Sequence, residues 1–411
     1  MDYRDIHIFL KKCFSQNIPL YNIPELNIKI RNFAFNSQSS GFLPGIEHYR
    51  CETHSLSFEE KLEHSRNEEI LHYPEFLRYN DIEILENKHF TLSLFEPMGK
   101  DETDELIILF HGLNEKHWDK YLSWAYTLLK ETGKSVLLFP IAFHMNRCPN
   151  QWGDPRSMNI VTSIRKKYSE SITNSSFANA AISSRIQMRP QRFFWSGLQT
   201  FYDVVSFIGM LKDSKYQFIN SYCKIDFFTY SIGSFLGEIL MMTDAHNYFT
   251  NSKLFMFCGG PTLDRMAPNS KYILDSDATI AIYSFYNERL DAELKLDKRL
   301  NHYFSSDHPA GEYFKTMLTY QKNKAKREAR FNDLSKRISA IALKKDEVTP
   351  PNEVLNTLQG DFHDIPIDVK IFDFPYPYNH IEPFSENQKY ENEVNEAFTS
   401  VFDIAIDFFK M

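Results

Sequence analysis

Ser231 is the residue whose position most clearly indicates chemistry. It follows an apolar run at residues 225–229 and opens an amphipathic stretch, so that a strand passes through a short turn into a helix. This is the setting of a nucleophile elbow, a tight turn that lifts a serine hydroxyl above the edge of a sheet. The usual pattern is G-x-S-x-G; Gly233 supplies the second glycine, and Thr229 replaces the first. We therefore predict that Ser231 attacks acyl carbonyls. The simpler alternative is that Ser231 only caps the N-terminus of the following helix.

An acid and a base follow two later apolar runs. Asp346 comes just after the run at residues 338–343, and His380 comes just after the run at residues 369–374. Because the carboxyl ends of parallel strands meet at one edge of an open sheet, both side chains should lie near Ser231. A histidine can take the proton of the serine hydroxyl while a carboxylate fixes the histidine tautomer, which is the chemistry of an acyl-enzyme mechanism.

Both of these residues have competitors in the sequence. Asp264 follows the apolar run at residues 254–258, and it offers an alternative acid. We favour Asp346 as the acid and leave Asp264 open. His380 follows the last predicted strand and is the favoured base over three other histidines, His302, His308 and His363.

The loop after the apolar run at residues 105–110 predicts an oxyanion hole. It reads His-Gly-Leu-Asn at residues 111–114, and the backbone N–H groups of Leu113 and Ile232 are its expected donors. We interpret His111 chiefly as a residue that shapes this loop. The residues considered for substrate contact are His111, Asn114, Tyr230, Arg147 and Arg156.

The two arginines belong to a locally basic stretch at residues 144–194, in a chain of formal net charge −8. Such stretches are usually solvated faces, and this is the default interpretation here. The sharper hypothesis is that Arg147 or Arg156 binds an anionic part of the substrate, such as a carboxylate or a phosphate.

Six short apolar runs predict buried parallel strands separated by amphipathic helices. The alternation favours an α/β protein with a mostly parallel central sheet and helices on both faces. The runs lie at residues 105–110, 135–139, 225–229, 254–258, 338–343 and 369–374. Upstream, residues 82–85 and 90–95 alternate around a polar turn, which indicates an antiparallel hairpin at the edge of the sheet.

Long stretches without this alternation mark the remaining parts of the chain. Residues 1–78 are expected to form an N-terminal extension of short elements, followed by the main domain at residues 79–411. Within that domain, residues 144–194 and 261–335 interrupt the pattern. Insertions of this length are usually lids or substrate-binding elements, so we expect both of them to form a cap.

Over roughly residues 80–411, the sequence resembles the α/β-hydrolase superfamily. The resemblance rests on the His-Gly loop at residue 111, the turn at Ser231, then Asp346 and His380, in the order Ser, Asp, His that this family has. It implies an α/β-hydrolase fold with a cap and a Ser-His-Asp triad. It does not imply a substrate, because the fold hosts esterases, lipases, peptidases, thioesterases and acyltransferases.

Composition excludes several other classes of function. The chain has 411 residues, of which 43% are hydrophobic, so that a large core can form. Its acidic balance disfavours nucleic acid as a partner. None of its five cysteines forms a CxxC pair, and no HExxH or GxGxxG pattern occurs, so that neither a metal nor another cofactor is expected. No apolar stretch long enough for stable membrane insertion and no secretory signal is found, which favours a cytoplasmic protein.

The expected function is that of a serine hydrolase that cleaves an ester or a related acyl bond in a small-molecule substrate. An acyltransferase or a peptidase built on the same triad is one alternative, because these enzymes differ in the pocket and share the triad. A non-catalytic α/β-hydrolase scaffold used for binding is the other alternative, and the missing first glycine of the elbow favours it. The sequence gives no oligomeric state.

Overall fold

A computed structural model describes residues 2–59 and 72–411 of the chain. The strands in this part, in chain order, are β1 (Leu20–Ile23), β2 (Ile28–Asn36), β3 (His48–Cys51), β4 (Leu56–Glu59), β5 (His89–Pro97), β6 (Thr103–Phe110), β7 (Ser135–Leu138), β8 (Ile219–Tyr230), β9 (Leu254–Phe257), β10 (Ile338–Leu343) and β11 (Asp368–Phe372).

Nine of these strands form one sheet in the order β1-β2-β5-β7-β6-β8-β9-β10-β11, and β3 pairs with β4 in a separate hairpin. The last six strands in this order, β7, β6, β8, β9, β10 and β11, run parallel to one another. The first three strands are antiparallel additions at one edge. All six apolar runs identified in the sequence fall on strands of the parallel block.

The helices surround this sheet. In the described part of the chain they are α1 (Tyr3–Cys13), α2 (Glu75–Arg78), α3 (Leu85–Lys88), α4 (Asp119–Thr132), α5 (Pro155–Tyr168), α6 (Ala180–Met188), α7 (Arg192–Lys212), α8 (Ile232–Thr243), α9 (Ser276–Tyr283), α10 (Leu290–Leu296), α11 (Lys298–Tyr303), α12 (Pro309–Thr316), α13 (Lys324–Leu334), α14 (Pro351–Gln359) and α15 (Glu391–Lys410). Among them, none is both long enough and apolar enough to cross a bilayer.

Two hydrophobic cores lie on the two faces of the sheet. On β6, Leu106, Ile108 and Phe110 belong to one core, which α7 and α8 cover. Ile107 and Leu109 belong to the other core, which α1, α4 and α15 cover. Successive side chains of a strand point to opposite faces, so a strand with helices on both sides must be apolar throughout. The predicted mostly parallel sheet with helices on both faces is confirmed, and with it the α/β-hydrolase fold.

The predicted hairpin at the edge of the sheet is wrong. Residues 85–88 form α3, and β5 pairs with β2 and β7. The alternation at residues 90–95 did indicate a strand, but its antiparallel partner lies far upstream at residues 28–36. The polar residue Asn87, taken as part of a surface turn, is buried and donates a hydrogen bond to Gln199 Oε1 at 2.7 Å.

The N-terminal part joins the large sheet through β1 and β2, and α1 packs against α4 and α15. Residues 60–71, which fall within the predicted extension, lie outside the described residues. The two insertions are helical, and they meet where α6 packs against α9. The division of the chain at residue 78 and the role of the insertions as a cap stay predictions.

Four arginines of the basic stretch are buried in ion pairs, so the interpretation of this stretch as a solvated face is wrong for them. Their acidic partners lie outside residues 144–194, where a local count of charge does not find them. The pairs are Arg147 with Asp203, Arg165 with Asp275, and both Arg185 and Arg192 with Asp81. These ion pairs tie the insertions to α7 and to the segment before β5.

Replacement of Arg147 by methionine should lower the free energy of unfolding by about 3–5 kcal/mol, because the carboxylate of Asp203 then stays buried without its partner. Denaturant unfolding measures the change. The matched control is Arg156→Met, at an exposed position in the first turn of α5. This variant should change the free energy of unfolding by less than about 0.5 kcal/mol. Equal stability of the two variants would contradict the structural role of Arg147.

Candidate active site

Ser231 occupies a sharp turn between β8 and α8. Its φ of 55° and ψ of −123° lie where a residue with a side chain is rarely found. The turn is tight because α8 starts directly against the end of β6. A Cβ atom at Gly233 would lie 2.8 Å from the carbonyl oxygen of His111 and 2.8 Å from Phe110 Cβ. Only glycine at residue 233 permits this approach, which is the packing that a nucleophile elbow requires.

Thr229 fits where the usual motif has its first glycine. Its hydroxyl lies 3.0 Å from Ser234 Oγ and donates to the carbonyl oxygen of Phe255 at 3.2 Å. Space for its methyl group comes from Gly237, where a Cβ atom would approach Thr229 Cγ2 to 3.1 Å. A small residue one turn into the helix thus accommodates the larger residue on the strand.

The structure brings Ser231, His380 and Asp346 together. The Ser231 hydroxyl lies 2.7 Å from His380 Nε2, and His380 Nδ1 lies 2.7 Å from Asp346 Oδ2. The three side chains come from the ends of β8, β10 and β11, as the strand-end argument predicted. Their residues are only 5%, 4% and 3% exposed, respectively.

Asp346 is held as a carboxylate. Its Oδ1 accepts the backbone N–H groups of Val348 and Thr349, both at 2.9 Å, and its Oδ2 accepts the Thr349 hydroxyl at 2.8 Å. Burial alone would raise the pKa of Asp346. The imidazole of His380 and the hydrogen bonds from Thr349 outweigh this effect and hold the pKa below its ordinary value.

The alternative acid, Asp264, has other partners. Both of its carboxylate oxygens accept the backbone N–H of Tyr320, at 2.9 and 3.0 Å, and one of them accepts the Thr262 hydroxyl at 2.7 Å. These bonds fix a turn in the second insertion. Between the two candidates, only Asp346 contacts the imidazole of His380.

Tyr230 contacts His380 and is buried, with 1% of the residue exposed. Its hydroxyl donates to the backbone carbonyl of His380, and the two rings stack with centroids 5.6 Å apart. Burial raises the pKa of Tyr230 well above its ordinary value, so that the phenol stays a neutral donor. The predicted substrate contact of Tyr230 is therefore replaced by a contact with the base.

The two expected oxyanion donors, Leu113 and Ile232, belong to segments that adjoin Ser231 and line one cavity. Ile232 opens α8 directly after the serine, and Gly112 brings the β6 loop alongside it. A Cβ atom at Gly112 would be 3.4 Å from Ser231 Cβ. Within the described residues, the backbone N–H groups of Leu113 and Ile232 donate to no other group. Both are thus free to receive an anionic oxygen.

His111 ties two loops together. Its Nε2 accepts the backbone N–H of Ile141 at 2.9 Å, so its proton is on Nδ1, which donates to the carbonyl oxygen of Gly112 at 2.8 Å. Burial, and next the neighbouring His144, lower the pKa of His111 well below its ordinary value. A neutral imidazole with both nitrogens engaged shapes the oxyanion loop and has no position left for substrate.

Asn114, Arg147 and Arg156 have different environments, and of the three only Asn114 lines the larger cavity described below. Asn114 has a φ of 63°, and its amide group donates to carbonyl oxygens in both insertions, those of Ala178 at 2.9 Å and Tyr272 at 2.6 Å. Arg147 is fully buried against Asp203, so the prediction that it binds an anionic substrate does not fit its position. Arg156 is exposed on α5.

Leu113 borders at least three cavities in the described part of the chain, and two of them lie beside Ile232 or Ile381. The smaller has about 40 Å³ and is bounded by Leu113 and Ile232, with apolar walls from Ile141, Phe193, Phe235, Leu236, Ile239 and Phe314. The larger has about 560 Å³ and reaches Ile381, next to His380. Its walls include charged side chains, among them Glu115, Lys116, Asp119, Lys120 and Glu382.

Sequence reasoning missed His144, which lines the smaller cavity. Its Nδ1 lies 2.9 Å from the carbonyl oxygen of Ala142, to which it donates, and its Nε2 has no partner among the described residues. Burial lowers the pKa of His144 to about 4. The ring is therefore neutral near pH 7 and offers a hydrogen-bond acceptor. No motif marks this residue, because its role depends on the fold of the first insertion.

The solved structures to which the chain is similar are distant from it in sequence. No curated protein matches its sequence. It is similar to a solved carboxyl esterase from the mycorrhizal fungus Tuber melanosporum, with 11% identity, a TM-score of 0.42, and 78% of this chain and 81% of that chain covered. An esterase from Pyrococcus furiosus has 16% identity and a TM-score of 0.39, with 76% and 87% covered. An esterase from the archaeon Pyrobaculum calidifontis has 9% identity and a TM-score of 0.37, with 98% and 92% covered.

Likenesses this distant carry no information on the activity of the chain. The match to a family model is far more extensive. The model of a family described as a family of unknown function, DUF6051, matches residues 1–410. Because this match spans nearly the whole sequence, the chain belongs to the DUF6051 family.

Proposed function

We propose that this protein is a serine hydrolase that cleaves a carboxylic ester or a related acyl bond through an acyl-enzyme. The observation that carries the proposal is the pair of 2.7 Å contacts that link the Ser231 hydroxyl to His380 and His380 to Asp346. In this arrangement the imidazole takes the proton of the hydroxyl, while the buried carboxylate stays ionised and stabilises the imidazolium.

The reaction begins when the Ser231 oxygen attacks the acyl carbonyl and His380 Nε2 takes the hydroxyl proton. Asp346 keeps the Nδ1–H tautomer and stabilises the imidazolium that forms. The oxyanion binds the backbone N–H groups of Leu113 and Ile232. His380 then protonates the leaving group, which departs as an alcohol and leaves the acyl group on Ser231. Water, deprotonated by His380, attacks the acyl-enzyme and releases the acid.

The two cavities support a division of the substrate into two parts. An acyl group enters the apolar cavity beside Leu113 and Ile232, whose volume of about 40 Å³ is room for a short chain. The leaving group faces the larger cavity with its charged walls. Since Ser231 and His380 are nearly buried, a substrate displaces part of the insertions when it enters.

A non-catalytic scaffold for binding is the second candidate. The observation that favours it is the low exposure of Ser231, 5%, which leaves little of the hydroxyl open to a substrate. An acyltransferase or a peptidase would use the same three residues with another acceptor or another leaving group. Chemical labelling of Ser231 separates the scaffold from all the enzymes.

A small alkyl fluorophosphonate should label the protein at Ser231, and Ser231→Ala should abolish this labelling because no other hydroxyl is activated by His380. The same variant should lower kcat for ester hydrolysis roughly 10⁴-fold or more. Ser234→Ala is the matched control: Ser234 is buried on the same helix and contacts Thr229, so its variant should label normally. A parent protein that the probe never labels would favour the scaffold.

If Asp346 is the acid of the triad, amide variants of the two candidate acids should lose different amounts of activity. Asp346→Asn should lower kcat roughly 10⁴-fold, because an amide oxygen neither holds the tautomer as firmly nor stabilises the imidazolium. Asp264→Asn should change kcat by less than about 10-fold, because Asp264 bonds to Tyr320 and Thr262. Steady-state hydrolysis of one ester by both variants measures the difference. A larger loss in Asp264→Asn would reverse the assignment.

The small cavity predicts a preference for short acyl chains. The kcat/KM for 4-nitrophenyl acetate should exceed that for the octanoate by at least about 10-fold, because the longer chain does not fit. Phe314→Ala removes a wall of the cavity and should reduce this ratio. The exposed Phe362→Ala, the same truncation away from the cavity, should leave the ratio unchanged. An octanoate preference in the parent would contradict the assignment of the acyl pocket.

A further inference from the structure

Four potential metal ligands meet where the β3-β4 hairpin contacts the second insertion. They are Cys51, His54, His302 and His308, and one ligand atom of each lies within 4.8 Å of the others. Cys51 ends β3, and His54 is in the turn that follows. His302 is on α11, and His308 precedes α12. The cluster involves none of the residues of the candidate active site.

Three of the distances between the ligand atoms are close to those of tetrahedral coordination, and the other separations, of at most 4.8 Å, would have to shorten where they exceed this geometry. Cys51 Sγ lies 3.6 Å from His54 Nδ1 and 3.6 Å from His308 Nε2, and the Nε2 atoms of His302 and His308 are 2.9 Å apart. A zinc ion with Zn–S of about 2.3 Å and Zn–N of about 2.0–2.1 Å holds such atoms about 3.3–3.6 Å apart. The pair of imidazole nitrogens needs to open by only about 0.4 Å to meet this geometry.

The orientation of the rings also fits ligation. The ring planes of His54 and His302 are nearly perpendicular to that of His308, at 89° and 88°, so the three rings approach one point from different directions. The Tyr202 hydroxyl lies 3.1 Å from His308 Nδ1, the nitrogen that faces away from the cluster. Second-shell contacts of this kind fix the tautomer and the direction of a ligating histidine.

We propose that Cys51, His54, His302 and His308 bind one structural zinc ion. One thiolate and three imidazoles form a CysHis₃ set, and four protein ligands leave no open position for a water molecule, as in structural sites. Soft sulfur together with imidazole nitrogen, in a tetrahedral arrangement, selects zinc over magnesium or calcium.

The ion would join parts of the chain that are far apart in sequence, since residues 51 and 308 are separated by 257 positions. It would fix the β3-β4 hairpin against α11 and the start of α12. Three of the ligands are buried and His54 is more accessible than they are, so that metal would exchange from the side of His54. Binding of zinc should stabilise the fold by linking these segments.

The test uses the full chain without a polyhistidine tag. Protein purified in the presence of zinc should contain about one zinc per chain by mass spectrometry of the metals. After the zinc is removed with a chelator, added Co²⁺ should give the visible bands of a tetrahedral site and a near-ultraviolet thiolate-to-cobalt band. Removal of zinc should also lower Tm. These measurements are independent of any hydrolase activity, so the site can fail while the proposed function stands.

Variants test the ligand set. Cys51→Ser should abolish the thiolate-to-cobalt band, and His54→Gln should weaken Co²⁺ binding by more than about 10-fold. Because His54 is only half-buried, its replacement leaves the core intact even if Cys51→Ser fails to fold. Two controls should keep one zinc and both bands: Cys13→Ser, an exposed thiol, and His48→Gln, an exposed imidazole on the same hairpin.

Two outcomes would overturn the proposal. One is a parent protein that takes up no stoichiometric Zn²⁺ or Co²⁺, in which case the four side chains form a hydrogen-bonded cluster alone. The other is a thiolate-to-cobalt band that persists in Cys51→Ser or disappears in Cys13→Ser.

Discussion

The close approach of α8 to the end of β6 is the constraint on which the candidate site depends. With no side chain on Gly233, the helix begins immediately after Ser231 and forces that residue to a φ of 55°. Such a backbone costs of order 1–3 kcal/mol, and surrounding contacts must hold it. One of these is the hydrogen bond from the Ser231 N–H to the carbonyl oxygen of Phe257 at 3.2 Å. The hydroxyl then points to the sheet edge where β11 delivers His380.

The same edge is supported by a buried carboxylate with several hydrogen-bond partners. Asp346 accepts hydrogen bonds from the loop that follows it, in addition to His380, so its carboxylate is stable where solvent is excluded. Around it, the insertions use their arginines for ion pairs with Asp81, Asp203 and Asp275. These guanidinium groups are engaged inside the fold, and none of them lines the small cavity beside Leu113 and Ile232, whose walls are mainly apolar.

The local patterns of the sequence were sufficient for the sheet and for the three residues at its edge. Five of the six apolar runs are buried on both faces, so their continuous apolar character identified them, whereas β11 is a partly exposed strand at the edge of the sheet. The rule that parallel strands end at one edge then placed Ser231, Asp346 and His380 together. Contacts between segments that are far apart in the sequence could not be predicted from local patterns. The partner of β5 is β2, and the partner of Arg147 is Asp203; nothing in either local sequence names the other. The substrate contacts proposed for Arg147 and Tyr230 failed for this reason.

The four side chains of the proposed zinc site are a second case of contacts that the local sequence does not predict. Searches for metal motifs look for ligands in one short stretch, whereas Cys51 and His54 meet His302 and His308 only after the hairpin packs on the second insertion. Thr229 shows the opposite error, in which a local pattern argues against a feature that the structure has. Taken alone, threonine in place of the first glycine argues against a nucleophile elbow, but Gly237 on α8 supplies the space that its side chain needs.

The central claim, that Ser231 is a nucleophile, is tested most directly by trapping its acyl-enzyme. The protein is mixed with 4-nitrophenyl acetate, quenched in acid within the first turnover, digested and analysed by mass spectrometry. The account predicts one acetyl group on the peptide that contains Ser231, formed at the rate of the nitrophenolate burst. Ester turnover with acetylation at another residue, or no acetylation of Ser231 at any quench time, would contradict it.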